Sequence, residues 1–154
     1  MKFKPCFFFF FSSSVLICIT AIAKLISSYG TGRVLQMPDP IFGIAFSKVF
    51  WIVGSIELVV AALVVLSKKL FFRAGLIAVL ATSFTIYRLG LLWIGYHKPC
   101  PCLGVLTDAL HIPPDTADMA MKIILAYLLI GSYATLFWLW RQRKKSALVP
   151  VSAQ

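Results

Sequence analysis

Residues 49–96 read VFWIVGSIELVVAALVVLSKKLFFRAGLIAVLATSFTIYRLGLLWIGY, and this stretch decides the fold. Val49 to Leu66 is one apolar run and Leu70 to Tyr96 a second, with only Ser67, Lys68 and Lys69 between them. Each run is close to or above the ~20 residues that cross ~30 Å of hydrocarbon at 1.5 Å per residue. Two such runs joined by a basic turn form a transmembrane helical hairpin. Working outward, Cys6 to Ser28 and Met119 to Trp140 have the same character. The chain of 154 residues is 60% hydrophobic and 13% charged, with a mean hydropathy of +0.92. This excludes a water-soluble domain. The formal charge of +10 would suggest nucleic acid in a soluble chain, but here most of it sits at the ends of apolar blocks, so no nucleic-acid partner is expected.

The expected architecture is therefore all-α, a polytopic membrane protein with a four-helix transmembrane bundle. Helices are expected at about 7–28, 49–67, 70–96 and 118–140, within a single domain over 1–145 that is followed by a short tail, 146–154. Four crossings put both termini on one face. The stretches YGTGRVLQMPDP and HKPCPCLGVLTDALHIPPD, with helix-stopping Gly and Pro, then form loops on the other. Nine Lys and Arg fall on the side of the termini (Lys2, Lys4, Lys68, Lys69, Arg73, Arg141, Arg143, Lys144, Lys145) and five opposite (Lys24, Arg33, Lys48, Lys98, Lys122). By the positive-inside rule the termini are cytoplasmic and the protein is a multi-pass protein of a bacterial inner membrane. Asp115 or Thr116 is placed to cap the fourth helix, with Asp118 in its first turn. MKFKP followed by an apolar run and Ala21-Ile22-Ala23 also fits a secretory signal, and cleavage there would leave the loop assignments unchanged.

Cys100-Pro101-Cys102-Leu103-Gly104 opens the second outer loop directly after the third helix. On an oxidising face two cysteines one residue apart are expected to be cross-linked or to exchange disulfides, and a ring that small is strained and therefore labile. Three other readings stand beside this one. They are a permanent structural disulfide, unpaired thiols, and a soft-metal site for Cu(I) in which His97 or His111 assists. Cys6 and Cys18 supply no second outer pair, so the CxC must exchange with another protein, a small thiol or a bound cofactor.

Glu57 and Arg88 are ionisable residues at membrane depth, each costing about 2.5 to 3.5 kcal/mol on insertion scales. Glu57 lies nine residues from Lys48 and Arg88 eight from Tyr96, so both fall ~12 to 13 Å below the outer surface. Equal depth on sequential helices predicts that they pair, with Lys24 snorkelling or joining them. This polar interior reads equally as a clamp holding the bundle together or as a quinone or proton site, with Glu57, Arg88 and Lys24 as the candidate cofactor-binding residues.

Ala23-Lys24-Leu25, Ile56-Glu57-Leu58, Phe84-Thr85 and CPCLG, in this order, resemble the four-helix MauE proteins of methylamine utilisation, within the broader DoxX-like group. That pattern has a Lys-Leu ending the first helix, a Glu-Leu in the second and a CGCFG-like motif after the third. Here Pro101 and Leu103 replace the usual Gly and Phe. The resemblance spans roughly residues 15 to 140. It implies thiol-disulfide chemistry carried by Cys100 and Cys102 in support of an extracytoplasmic partner, thioredoxin-like or dehydrogenase-type, and a quinone as the candidate cofactor. A disulfide oxidoreductase or a quinone-linked accessory would both fit. The competing class is a non-catalytic membrane module, either a copper-binding accessory protein or a structural subunit with a passive disulfide.

Overall fold

In the computed structural model, residues 4–30, 33–95 and 113–147 are described. They form α1 (Lys4–Ser28), a short α2 (Arg33–Gln36), α3 (Phe46–Leu66), α4 (Leu70–Trp93) and α5 (Pro114–Ala147). Cys6–Ser28, Phe46–Leu66, Leu70–Trp93 and Asp115–Lys144 are long and apolar enough to cross a membrane, with mean hydropathies between 1.7 and 2.6. The chain is thus an all-α, multi-pass membrane protein. Its outer surface agrees: Phe8, Val59, Val79 and Ile130 are each at least 59% exposed, which suits lipid and not water.

Helix ends follow local chemistry. After Leu66 the backbone of Ser67 turns extended while its N–H still bonds Leu63 O, and α4 starts three residues later. α4 stops at Trp93, short of the expected Tyr96. There the Ile94 and Gly95 N–H groups close on Gly90 O and Leu92 O, and Gly95 takes a φ of +76°. That left-handed turn ends a helix and favours glycine. α5 is longer at both ends than the expected 118–140. Pro114 is tolerated in a first turn, where no N–H is required, and Pro113 O accepts from Thr116 and Ala117. Asp115 consequently sits inside the first turn instead of capping it. At the other end Arg141-Gln142-Arg143-Lys144-Lys145, all good helix formers, carry the helix past Trp140.

The helices pack as two close antiparallel pairs, α1 with α3 and α4 with α5. Within the first pair a Cβ on Gly54 would meet Leu25 Cγ at 3.0 Å and Ala21 O at 3.1 Å. Gly54, Ala21 and Ala61 therefore let the backbones approach, the small-residue packing that substitutes for a hydrophobic driving force in lipid. In the half of the bundle nearer the termini the two pairs meet around Phe10, Val64, Ala74 and Ile77, all fully buried. Toward the other end they separate.

That other end is closed by residues 37–45, a compact loop that sequence reading treats only as a helix break. Pro38 and Ala45 form a β-bridge, the N–H of Asp39 bonds Ile44 O at 2.8 Å, and Gly43 turns the chain with a φ of +68°. The Asp39 side chain, 1% exposed, accepts from the backbone N–H groups of Ile41 and Phe42. Leu35, Phe46 and Phe50 bury together and fix α2 onto the start of α3.

Candidate functional site: a polar cavity between the helix pairs

Where the pairs separate they enclose a cavity of about 200 Å³ that every long helix lines. Its floor is Ile17, Leu80 and Leu128, which belong to the core. Aromatic rings from Phe50, Phe84 and Tyr87 form much of its wall, and Phe42 of the 37–45 loop covers it. Lys24, Glu57 and Arg88 all face it. The three candidate residues, drawn from three helices, are thus gathered in one place.

Their pairing differs from expectation. Glu57 bonds Lys24, not Arg88: Lys24 Nζ donates to Glu57 Oε1 at 2.5 Å, with the two side chains 6% and 2% exposed. Arg88 Nη2 donates instead to Asp118 Oδ1 at 2.8 Å, and Lys122 donates to the other oxygen of the same carboxylate. Depth along the membrane normal, which the sequence supplies, does not fix direction around a helix. α1 lies close against α3, so Lys24 is brought to Glu57, whereas α3 and α4 touch sparsely and the cavity lies between them. A buried carboxylate left without a cation would be expensive, and the nearest helix provides it. Lys24 also sits 4.7 Å from the centre of the Phe84 ring, a cation–π contact.

Glu57 is only half satisfied. Its Oε2 is buried and has no hydrogen-bond partner among the described residues. Around Lys24, Glu57 and Arg88 the cavity wall is mostly apolar and aromatic.

The lid is tied down by residues that sequence reading did not single out. Tyr87 of α4 donates its hydroxyl to Asp39 Oδ2, and the Tyr87 and Phe42 rings stack at 5.9 Å with 11° between their planes. The signal was present as Pro38-Asp39-Pro40 followed by Gly43, a pattern in which the aspartate side chain caps its own turn. A partner 48 residues away could not be read from it.

Cys6 and Cys18 are free thiols packed against the core. Cys100 and Cys102, with His97 and His111, lie outside the described residues. Among the described residues no group of three or more His, Cys, Asp or Glu is placed to hold a metal ion.

No curated protein and no solved structure matches the chain. The family profile of methylamine utilisation protein MauE does match, over residues 6–141, a range that covers most of the four long helices and includes the Lys24–Glu57 pair and the CPC segment. The chain belongs to the MauE family.

Proposed function

We propose that this protein is an inner-membrane component of methylamine utilisation that exchanges disulfides with an extracytoplasmic partner through Cys100 and Cys102, its termini facing the cytoplasm. One observation carries the reading. The closely spaced cysteine pair of the sequence follows α4 by seven residues, and α4 itself ends on the side of the bundle where the polar cavity lies. A partner thiolate attacks one sulfur of the Cys100–Cys102 disulfide, forming a mixed disulfide and releasing the other sulfur as a thiolate. A second partner thiolate displaces the remaining sulfur. The partner leaves with a disulfide, and the chain is left with two thiols. The partner this chemistry suits is a thioredoxin-like or dehydrogenase-type protein that matures outside the cytoplasm, where disulfides persist.

Replacing either cysteine by Ser should abolish exchange while leaving the bundle folded, and the remaining thiolate should attack the disulfide of the oxidised partner and hold it as a mixed disulfide, releasing the partner's other sulfur as a thiolate. A membrane-impermeant thiol reagent added to reduced intact cells should reach Cys100 and Cys102 but not Cys6. Labelling of Cys6 alone reverses the orientation. Full activity in the double Ser variant, or a midpoint potential near or below about −300 mV, the range of structural disulfides, makes the pair a passive staple.

A further inference from the structure

The half of the bundle nearer the termini carries positive charge that the chain does not balance. Lys68 and Lys69 lie in the turn between α3 and α4, and Arg73 follows one helical turn later, its N–H bonded to Lys69 O. Like charges at that spacing repel. No Asp or Glu occurs in residues 1–38, 58–107 or 119–154. Among the described residues the cations in ion pairs are Lys24, Arg88 and Lys122, none of them at this turn. Arg73 rests 4.7 Å from the centre of the Phe10 ring of α1, not against a carboxylate. A counter-charge for the turn therefore comes from outside the chain.

A groove of about 250 Å³ between α3 and α4 leads away from the same turn. Val53, Ile56 and Val60 line it on α3 and Leu76, Val79 and Ser83 on α4, and both sets have the i, i+3, i+7 spacing of one helix face. Continued toward the turn, the first face reaches Leu63 and Ser67 and the second reaches Phe72 and Lys69. The two faces thus converge on the basic residues. Ile56 and Val79 are more than half exposed, on the surface that faces lipid. At 1.5 Å per residue the groove runs from ~9 Å to ~20 Å from the turn. That far end matches one leaflet with its headgroups, half of a bilayer ~40–45 Å thick.

We propose that the α3–α4 hairpin holds an anionic phospholipid from the leaflet on the side of the termini, its phosphate at Lys68 and Lys69 and one acyl chain laid in the groove. Arg73 adds its charge behind the two lysines. Basic clusters between transmembrane helices at the membrane surface are sites for anionic headgroups, and the groove supplies what surface charge alone does not, a slot for the tail. A zwitterionic phospholipid would fill that slot but leave the turn with its excess charge. An apolar helix of another protein would cover the groove and leave the cations unmatched. Neither the turn nor the groove takes part in the disulfide exchange proposed above, so the two readings stand or fall separately.

The test uses the full chain in nanodiscs of phosphatidylethanolamine and phosphatidylglycerol, doped with a phosphatidylglycerol whose acyl chain carries a diazirine. Irradiation should label peptides containing residues 53–60 and 76–83. Unlabelled phosphatidylglycerol should compete, and phosphatidylethanolamine and inorganic phosphate should not. Lys68→Gln/Lys69→Gln should weaken binding about thirtyfold, at about fivefold for each cation removed from an anionic surface. Both side chains are exposed, so the bundle should still fold. Ile56→Trp/Val79→Trp, which fills the groove from its lipid side, should remove the label with the basic turn intact. Arg141→Gln/Lys144→Gln takes as much charge from the same half of the bundle but not from the hairpin, and should leave the affinity nearly unchanged. Equal losses in the two charge variants would reduce the turn to general attraction at the surface and overturn the proposal. Equal labelling by a phosphatidylethanolamine carrying the same diazirine, competition by inorganic phosphate alone, or a cross-link from the groove to a second copy of the chain would also overturn it.

Discussion

The two halves of the bundle are built from the same four helices and the same kinds of residue, yet one is dry and the other hollow. Near the termini, Phe10, Val64, Ala74 and Ile77 fill the space between the helix pairs. Toward the 37–45 loop the pairs separate around a cavity that holds Lys24, Glu57 and Arg88. Lipid is as apolar as leucine, so a membrane bundle gains its stability mainly from packing and from interhelical hydrogen bonds. The filled half uses both, with Ser14 donating to Ala61 O and Ser12 hydrogen-bonded to Tyr127 across helices. The hollow half gives up packing around Lys24, Glu57 and Arg88. Buried polar atoms without a partner among the described residues occur in both halves, Glu57 Oε2 in one and Ser13 Oγ and Arg73 Nε in the other.

The largest effect should come from breaking the buried ion pair. Glu57→Ala alone is expected to cost ~3–5 kcal/mol because it strands Lys24, whereas Lys24→Met with Glu57→Leu should cost far less than the sum of the single changes. Reversible unfolding in mixed micelles reads both. Strictly additive losses would remove the pair from the account of the hollow half.

Next in size is Phe10→Ala in the filled half, expected at about 3 kcal/mol, the low end for such truncations because surrounding lipid is itself apolar. A loss near zero in the same unfolding experiment would break the comparison, since it would mean that the filled half is not tightly packed. A sharper contrast comes from adding volume. Val64→Phe, at a fully buried position, should overpack and cost ~1–3 kcal/mol, while Val53→Phe, on the cavity wall, should cost less than ~1 kcal/mol because space is available. Equal penalties in thermal unfolding would show that the cavity closes in the membrane. Smallest is the Arg88–Asp118 pair, whose side chains are each 19% exposed. A double-mutant cycle there should give a coupling of ~1 kcal/mol or less.

How far the sequence revealed this division differs by residue. The four crossings were legible because a run of some twenty apolar residues has few other uses, and Glu57 stood out as the acid inside such a run. Its partner was not legible. Helical rise converts residue number into depth, but the direction a side chain takes around the axis depends on which helices touch, and here α3 leans on α1 and away from α4. Arg88 was drawn toward Asp118, a residue that reads in the sequence as a helix-start acid complementing the dipole and not as an ion-pair partner. The Asp39–Tyr87 contact was hidden for a related reason, because a turn-capping aspartate has one oxygen for its own backbone and nothing local reports what the other will meet. The helix ends differed by a few residues wherever proline or a run of good helix formers extended an element beyond its apolar core.

The bond between Lys24 and Glu57 also has a history in time. The two residues are 33 positions apart, so at a synthesis rate of ~5–20 residues per second roughly 2 to 7 s separate their emergence from the ribosome. Through that interval Lys24 is a solitary cation on a helix already committed to the bilayer, held near the headgroups by its flexible stem. Only when Glu57 arrives does it gain a reason to turn inward. The second transmembrane helix thus brings the counter-charge that lets the Lys24 side chain leave the headgroups and bury against its neighbour.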